Sequence, residues 1–406
     1  MIKRGQNKMM NCRVLIIGLL LLLSGCMGKV PEEIAPPDIK VEPLAAVDWT
    51  DLDGWQLDRP TAGLETFVKS CRAIARRSQW QQVCSVAADL YPTNDLVARD
   101  FFERYFQPYR VRNENGTTEG LITGYYGPEL PGSRIRTERF RYPLYQQPDD
   151  LLIVDLDDVY PELSQYRLRG RVVGNRVVPY FDREAIDDGD DRLAGHELFW
   201  VEDPVELFFL HIQGSGRIRL PDGQLVMVNY ANQNGHPYRS IGKLLLERKA
   251  MTRDQMSMQN IRRWVEENPK AGRQLLAENP SYIFFRELPA EFRSPPGALG
   301  VPLTARRSLA VDPRTIPLGA PVFLATTFPG SEEPLKQLMV AQDTGGAIKG
   351  QVRADFFWGM GNQAGQIAGR MKQPGRLWVL LPREPAEDDP LQSKLEAVEP
   401  ATGEIN

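Results

Sequence analysis

The 406-residue chain reads as a mainly β protein with added helices, and three features of the sequence carry that reading. Between about Leu121 and Tyr230, and again after Ser281, apolar runs of strand length are separated by Gly, Pro and Asp, as in RGRVVGNRVVPYF, APVFLA and KQLMVAQD. GRIRLPDGQLVMVNY is a hairpin with Asp222-Gly223 at its turn. The composition, 42% hydrophobic, 25% charged and 9% aromatic, belongs to an ordinary globular chain, and the length allows roughly two or three domains.

Residues 1–25 join a basic start to an apolar run from Val14 to Leu23 and small residues before Cys26, the pattern of a secretory signal. The run is about 10 residues where a spanning helix needs roughly 20. Leu23-Ser24-Gly25-Cys26 resembles the bacterial lipobox, which implies cleavage before Cys26 and acylation of its thiol. Met27, standing where Asp is associated with inner-membrane retention, favours delivery to the outer membrane facing the periplasm. Residues 26–60, with KVPEEIAPPDIKVEP, are Pro-rich and acidic and are expected to form an extended tether. With Cys12 discarded and Cys26 lipidated, Cys71 and Cys84 remain, either as a disulfide in an oxidising compartment or as two free thiols.

Helical spacing marks Leu64 to Trp80 and Leu96 to Phe106, the second with Thr93, Asn94 and Asp95 as candidate N-caps. It returns from Ile241 to Ala250, Arg253 to Glu267 and Lys270 to Glu278. SYIFF, RRSLAV, APVFLA, KQLMVAQD and GRLWVLLP then suggest a β-barrel with helical additions. The tail, residues 385–406, is acidic and poor in aromatics, so disorder is expected there.

Several chemistries are set aside by the residues themselves. The net charge is −4, and because residues 1–25 hold Lys3, Arg4, Lys8 and Arg13 and no acid, removing those four charges leaves −8 on the rest. Such a body argues against nucleic-acid binding. The histidines, His196, His211 and His236, lack metal-ligand spacing, and Gly359, Gly361 and Gly365 miss the dinucleotide fingerprint and read instead as a helix start. No metal and no organic cofactor are expected.

Asp312, Asp343 and Asp355 each end or interrupt an apolar run beside glycines, in SLAVDPRTIPLG, QLMVAQDTGGAIKG and VRADFFWG. The stretch between Asp343 and Asp355 is long enough to double back and bring the two carboxyls towards one cleft. Proximity of this kind raises one pKa, as a general acid at neutral pH requires. Phe356, Phe357 and Trp358 are expected to form an apolar collar that keeps Asp355 protonated, while Asp312, followed by Pro, is also well suited to hydrogen-bond turn backbone.

VDPRTIPLG, QDTGGAIKGQVRADFFWGMG and AGRMKQPGRLWVLLP together resemble the three-aspartate domain, a double-psi β-barrel module of about 304–382. Upstream, TGYYGPELPGSR, RYPLY, DGQLVMVNYANQNGHPYRSIGK and NPSYIFFRE resemble the membrane-bound lytic murein transglycosylase A family. The resemblance implies a double-psi barrel domain (residues 61–127 and 279–384, with N-terminal helices) split by an inserted second β-barrel domain (residues 128–278), glycan lying in the groove between. It implies a lytic transglycosylase, a lyase acting on peptidoglycan, with Asp355 as acid and base and Asp343 beside it. Asp312 falls on the remaining barrel aspartate of that family and is a candidate substrate contact, and Thr123, Tyr125, Tyr126, Gln213, Ser215, Tyr230, Asn234 and Lys349 are candidate saccharide-binding groups by residue type, although core packing serves each aromatic equally well. The expected partners are glycan strands and the outer membrane. Two other readings stay open, a murein hydrolase and a non-catalytic peptidoglycan-binding lipoprotein.

Overall fold

The computed structural model describes residues 42–163, 166–188 and 192–383. The signal segment, Cys26, the first part of the tether and the acidic tail lie outside the described residues. The tether expected to reach residue 60 stops earlier: β1 (Leu44–Ala46) pairs antiparallel with β2 (Phe106–Val111). Trp55 explains why, since at 1% exposure it is a core residue, set edge-on to Phe102 and Phe323 and donating its indole N–H to Glu103 at 2.7 Å. Burying a ring of that size outweighs the local preference of a Pro-rich approach for extended chain.

Three helices follow, α1 (Thr61–Ile74), α2 (Ser78–Leu90) and α3 (Asp95–Tyr105). The single helix expected from Leu64 to Trp80 is therefore broken, and the second half runs on to Leu90. Leu64, Phe67 and Ile74 on α1 and Trp80, Val83 and Ala87 on α2 all enter one core, which a straight helix of that length could not arrange. Cys71 and Cys84 form a disulfide between the two helices. Asn94 caps α3, accepting from the Leu96 and Val97 amides at 3.0 and 3.1 Å.

After β3 (Gly120–Gly127) the chain leaves for the insert: β4 (Glu129–Ser133), β5 (Tyr142–Tyr145), β6 (Leu152–Ile153), β7 (Arg169–Val173), β8 (Arg176–Pro179), α4 (Arg183–Asp187), β9 (Glu197–Val201), α5 (Pro204–Gln213), β10 (Ser215–Arg219), β11 (Leu225–Gln233), α6 (Ile241–Glu247), α7 (Met258–Glu267), α8 (Pro269–Ala277) and β12 (Ile283–Glu287). Six of these strands make a sheet in the order β12-β11-β10-β4-β9-β5, and a bridge between Gln146 and Phe285 brings its two ends together. β10 and β11 form the hairpin expected at Asp222-Gly223, with Gly223 at φ 87°. β12, which lies beyond the expected boundary at residue 278, pairs with β11 of this sheet. Strand-like text from Leu121 to Tyr230 also hides α5, which Asp203 caps through the Val205 and Glu206 amides and Gly214 closes at φ 73°.

Arg183 holds this insert together from inside. At 3% exposure it donates to the Asn279 and Ser281 carbonyls at 3.1 and 2.7 Å, shares a 3.0 Å contact with His211 Nδ1, and lies over the rings of Phe208 and Tyr282. Arg183→Met leaves those buried acceptors unpaired, so equilibrium urea denaturation should show a loss of about 3 kcal/mol or more. An unchanged midpoint would show that the cluster contributes nothing to stability.

The chain returns through β13 (Ser308–Val311), β14 (Pro321–Thr327), β15 (Pro334–Asp343), β16 (Arg353–Met360), α9 (Gly361–Ala368) and β17 (Lys372–Pro382). β3 pairs with both β16 and β17, which closes β17-β14-β15-β13-β16-β3 into a six-stranded barrel, with β2 and β1 added on β17. β13 with β15 and β3 with β16 are parallel. Two parallel pairings inside a closed six-stranded barrel, interrupted by an insert, agree with the double-psi expectation. Among the described residues no helix is long and apolar enough to cross a membrane.

Candidate active site

Strand register assembles the site. Ala310 on β13 is opposite Asp343 on one side and Asp355 on the other, and Asp355 is opposite Thr123 of β3. Asp343, Asp355 and Thr123 therefore stand in one row across the barrel wall, the two carboxylates two strands apart, or about 10 Å between backbones. Tyr125 and Phe357 are the next register pair, their rings 5.0 Å apart. Residues that the chain separates by more than 200 positions are thus placed side by side.

The surroundings of Asp355 differ from the sequence expectation. Alternation on a strand puts Phe356 and Trp358 on the opposite face, inside the barrel core, so of the three aromatics only Phe357 shares a face with Asp355. The residue two before it, Arg353, shares that face as well. Arg353 Nη1 pairs with Asp355 Oδ1, and the Thr123 hydroxyl donates to the same oxygen. Arg353 Nη2 reaches the Thr123 hydroxyl at 2.9 Å. In place of an apolar collar, Asp355 has an ion pair. Arg353 is a site residue that the apolar pattern does not mark; its place two residues before Asp355 on one strand is the signal that finds it.

Asp343 carries the shifted carboxyl. Desolvation raises it to about 6, against hydrogen bonds from the Ala298 and Thr344 amides at 2.9 Å each and the lowering influence of the nearby Tyr125 hydroxyl, with the charge of Asp355 adding to the rise. The residue as a whole is half-buried, but its carboxyl is desolvated by the protein around it. Burial first, then the charges of Asp343 and Asp355, hold the Tyr125 phenol well above the ordinary tyrosine range. Among the described residues its buried hydroxyl makes no hydrogen bond of good geometry, and it lies near Asp343 as an unused donor.

Asp312 orders the loop. At 4% exposure it accepts from Arg314 Nε and Nη2 at 2.9 and 2.5 Å and from the Gly350 amide at 2.9 Å, and the Arg314 hydrogen bond is the main cause of a pKa lowered to about 2. The carboxyl thus ties the Asp312 turn to Arg314 and to the loop at Gly350. Lys349, beside Gly350, stands exposed.

The other sequence-derived binding residues separate. Tyr126, 6% exposed, turns into the core and sends its hydroxyl to Met258 sulfur at 3.4 Å; a Cβ on Gly365 of α9 would meet its ring at 2.6 Å, which explains that glycine. Asn234, 1% exposed, spends its amide on the Phe181 and Pro280 carbonyls and the Tyr282 amide, so it is a brace within the insert and not a surface for ligand. Gln213, at the end of α5, accepts from the Tyr126 amide at 3.2 Å and ties insert to barrel. Ser215 and Tyr230 flank that junction, with the Tyr230 amide on the Gly214 carbonyl at 2.7 Å. Asn229 adds a second tie, donating to the Pro296 carbonyl close to the Ala298 amide that holds Asp343.

Comparison with known proteins agrees with this architecture. The MltA specific insert domain matches residues 121–286 and the 3D domain matches residues 307–381. The chain is 40% identical to the crystal structure of MltA from Neisseria gonorrhoeae, with a TM-score of 0.74 and coverage of 84% of this chain and 93% of that one. For the membrane-bound lytic murein transglycosylase from Agrobacterium tumefaciens the values are 33%, 0.75, 84% and 98%, and for Escherichia coli MltA with bound chitohexaose 28%, 0.65, 84% and 95%. The curated relative membrane-bound lytic murein transglycosylase A of Escherichia coli strain K12 is 36% identical over 268 residues, a stretch that spans 64% of this chain and 65% of the relative. With both domains matched in order and nearly all of the Neisseria structure covered, the chain belongs to the MltA family.

Proposed function

We propose that this protein is a peptidoglycan lytic transglycosylase that cleaves the β-1,4 bond between N-acetylmuramic acid and N-acetylglucosamine and leaves 1,6-anhydromuramyl ends. The observation that carries the reading is the placement of Asp355 on the barrel wall, one oxygen held by Thr123 and Arg353, in a protein whose relatives are named lytic murein transglycosylases. In the substrate complex the protonated carboxyl donates to the glycosidic oxygen as the muramyl C1–O bond breaks, and C1 gains oxocarbenium character. The muramyl C6 hydroxyl attacks C1, and Asp355, now a carboxylate, takes that hydroxyl's proton. The group ends as it began, so neither a second catalytic carboxylate nor an attacking water is consumed.

A hydrolase needs a second carboxylate free to activate water. The names of the relatives, lytic murein transglycosylases, favour the anhydro-forming reaction over that one. Acylation of Cys26 and an outer-membrane location complete the proposal and rest on the lipobox pattern and on relatives named membrane-bound. Mass analysis of muropeptides released from sacculi by the purified protein is expected to show anhydro ends. Reducing ends would make it a hydrolase, and no release would favour a non-catalytic binder. Cys26→Ala should leave the protein in the soluble fraction.

A further inference from the structure

We propose that Arg353 is a positioning residue for Asp355: together with Thr123 it holds Oδ1, so that Oδ2 alone exchanges the proton with substrate. This rests on the reading of Asp355 as acid and base, and extends it to the atom and to a residue that reading does not use. Both side-chain hydrogen bonds to the carboxyl, from the Thr123 hydroxyl and from Arg353 Nη1, end on Oδ1. The guanidinium is itself fixed, with Nη1 on the Ala354 carbonyl at 2.7 Å and on the Leu121 carbonyl at 3.4 Å, and Nη2 on the Thr123 hydroxyl at 2.9 Å. It spans β16 and β3 at the one register step where Asp355 faces Thr123. A flexible surface ion pair has no such backbone purchase, and only 16% of this side chain is exposed.

The chemical consequence follows from counting donors. An oxygen that already receives an O–H and an N–H is the poorer place for a proton, so the acid form carries its hydrogen on Oδ2. The Thr123 hydroxyl accepts from Arg353 while it donates to Asp355, and each bond polarises the next. When the Oδ2–H bond breaks and the proton passes to the leaving sugar's oxygen, the carboxylate that remains lies against a fixed cation. When the C6 hydroxyl attacks C1, its proton returns to Oδ2. Arg353 stays charged throughout and no proton passes through it. Because misplacing a reacting group by about 1 Å can lower a rate roughly 10²-fold, the guanidinium acts through geometry and charge without touching the sugar.

The test uses the full-length protein, with soluble anhydromuropeptide release from sacculi as the rate. Arg353→Ala is expected to lower kcat by about 10- to 100-fold with KM within about threefold of the parent. Guanidinium chloride at tens of millimolar, far below denaturing concentration, should restore much of the loss in Arg353→Ala and leave the parent unaffected, and Arg353→Lys should fall between the two. Thr123→Val, which removes the other donor to Oδ1, should lower kcat in the same way but without guanidinium rescue. A kcat for Arg353→Ala within twofold of the parent overturns the proposal. So does a raised KM at unchanged kcat, which would make Arg353 a sugar contact, and so does a loss that neither guanidinium nor lysine reverses. Should Arg353→Ala not fold, the Lys and Val variants decide alone: parent-like kcat in both overturns it. Asp355→Asn assayed in parallel separates this failure from failure of the underlying reading, since activity retained there refutes the acid and not merely its support.

Discussion

Asp355→Asn is expected to abolish release of anhydromuropeptides from murein sacculi while leaving the fold and glycan binding in place. The amide keeps an oxygen where Oδ1 accepts from Thr123 and Arg353, so the local geometry survives. What disappears is the ability to give and then recover a proton. General acid–base assistance contributes typically about 10²- to 10⁴-fold, and one group serves here in both directions, so the rate should fall by at least that range. Sacculus pull-down should be unchanged, because the carboxyl is one contact among many along a glycan chain. A thermal midpoint close to that of the parent would show that the loss is chemical. Lysis by Asp355→Asn at more than a few per cent of the parental rate would remove Asp355 from the mechanism and send the search for the acid to Asp343.

How much of this was readable in the amino-acid string varies by element, for physical reasons. The barrel strands announced themselves because they are buried runs, as SLAV and PVFLATT are, bounded by Pro and Gly. The hairpin at Asp222-Gly223 followed from turn chemistry alone. α5 stayed hidden because Val205 and Leu207 through His211 are buried on every side, which erases the polar face that marks a helix in sequence. Asp355 stands out in the sequence both by its place in an apolar run and by resemblance, but strand geometry sets its environment. Three consecutive aromatics read as one collar, whereas a period of two sends Phe356 and Trp358 into the core and leaves Arg353 and Phe357 beside the carboxyl. Asn234 and Tyr126 were chosen by residue type, and type does not distinguish a hydrogen bond spent on the protein's own carbonyls from one available to a sugar. Cys26 and residues 385–406 lie outside the described residues, so the anchor rests on its sequence pattern.

Asp343→Asn should trade activity for stability, and the sign of each change is set by one raised pKa. Asp343 titrates near 6 in the folded protein, chiefly through desolvation, while an unfolded aspartate ionises near about 3.9. Between those values the folded state keeps a proton that the unfolded state releases, so stability falls as pH rises through that window and stays lower above it. Asparagine cannot ionise and escapes the penalty. Its carbonyl still accepts from the Ala298 and Thr344 amides, and its NH2 can donate to the Tyr125 hydroxyl, which has no good partner in the parent. The variant should therefore match the parent at pH 4 and exceed it at pH 7 by about 1 to 2 kcal/mol in urea denaturation, the half-exposed residue giving less than the full two units imply. Activity moves the other way. In the proposed complex muramyl C1 sits beside Asp355, two strand spacings or about 10 Å from Asp343, so in an effective dielectric near 20 the Asp343 carboxylate contributes about 1.7 kcal/mol and the rate at pH 7 should fall roughly fifteenfold. In the parent that contribution is lost as pH falls through about 6 and Asp343 takes up its proton; in Asp343→Asn this acid limb should be absent. Identical pH profiles, or lower stability at pH 7 than the parent, would show that Asp343 acts through its hydrogen bonds and not through its charge.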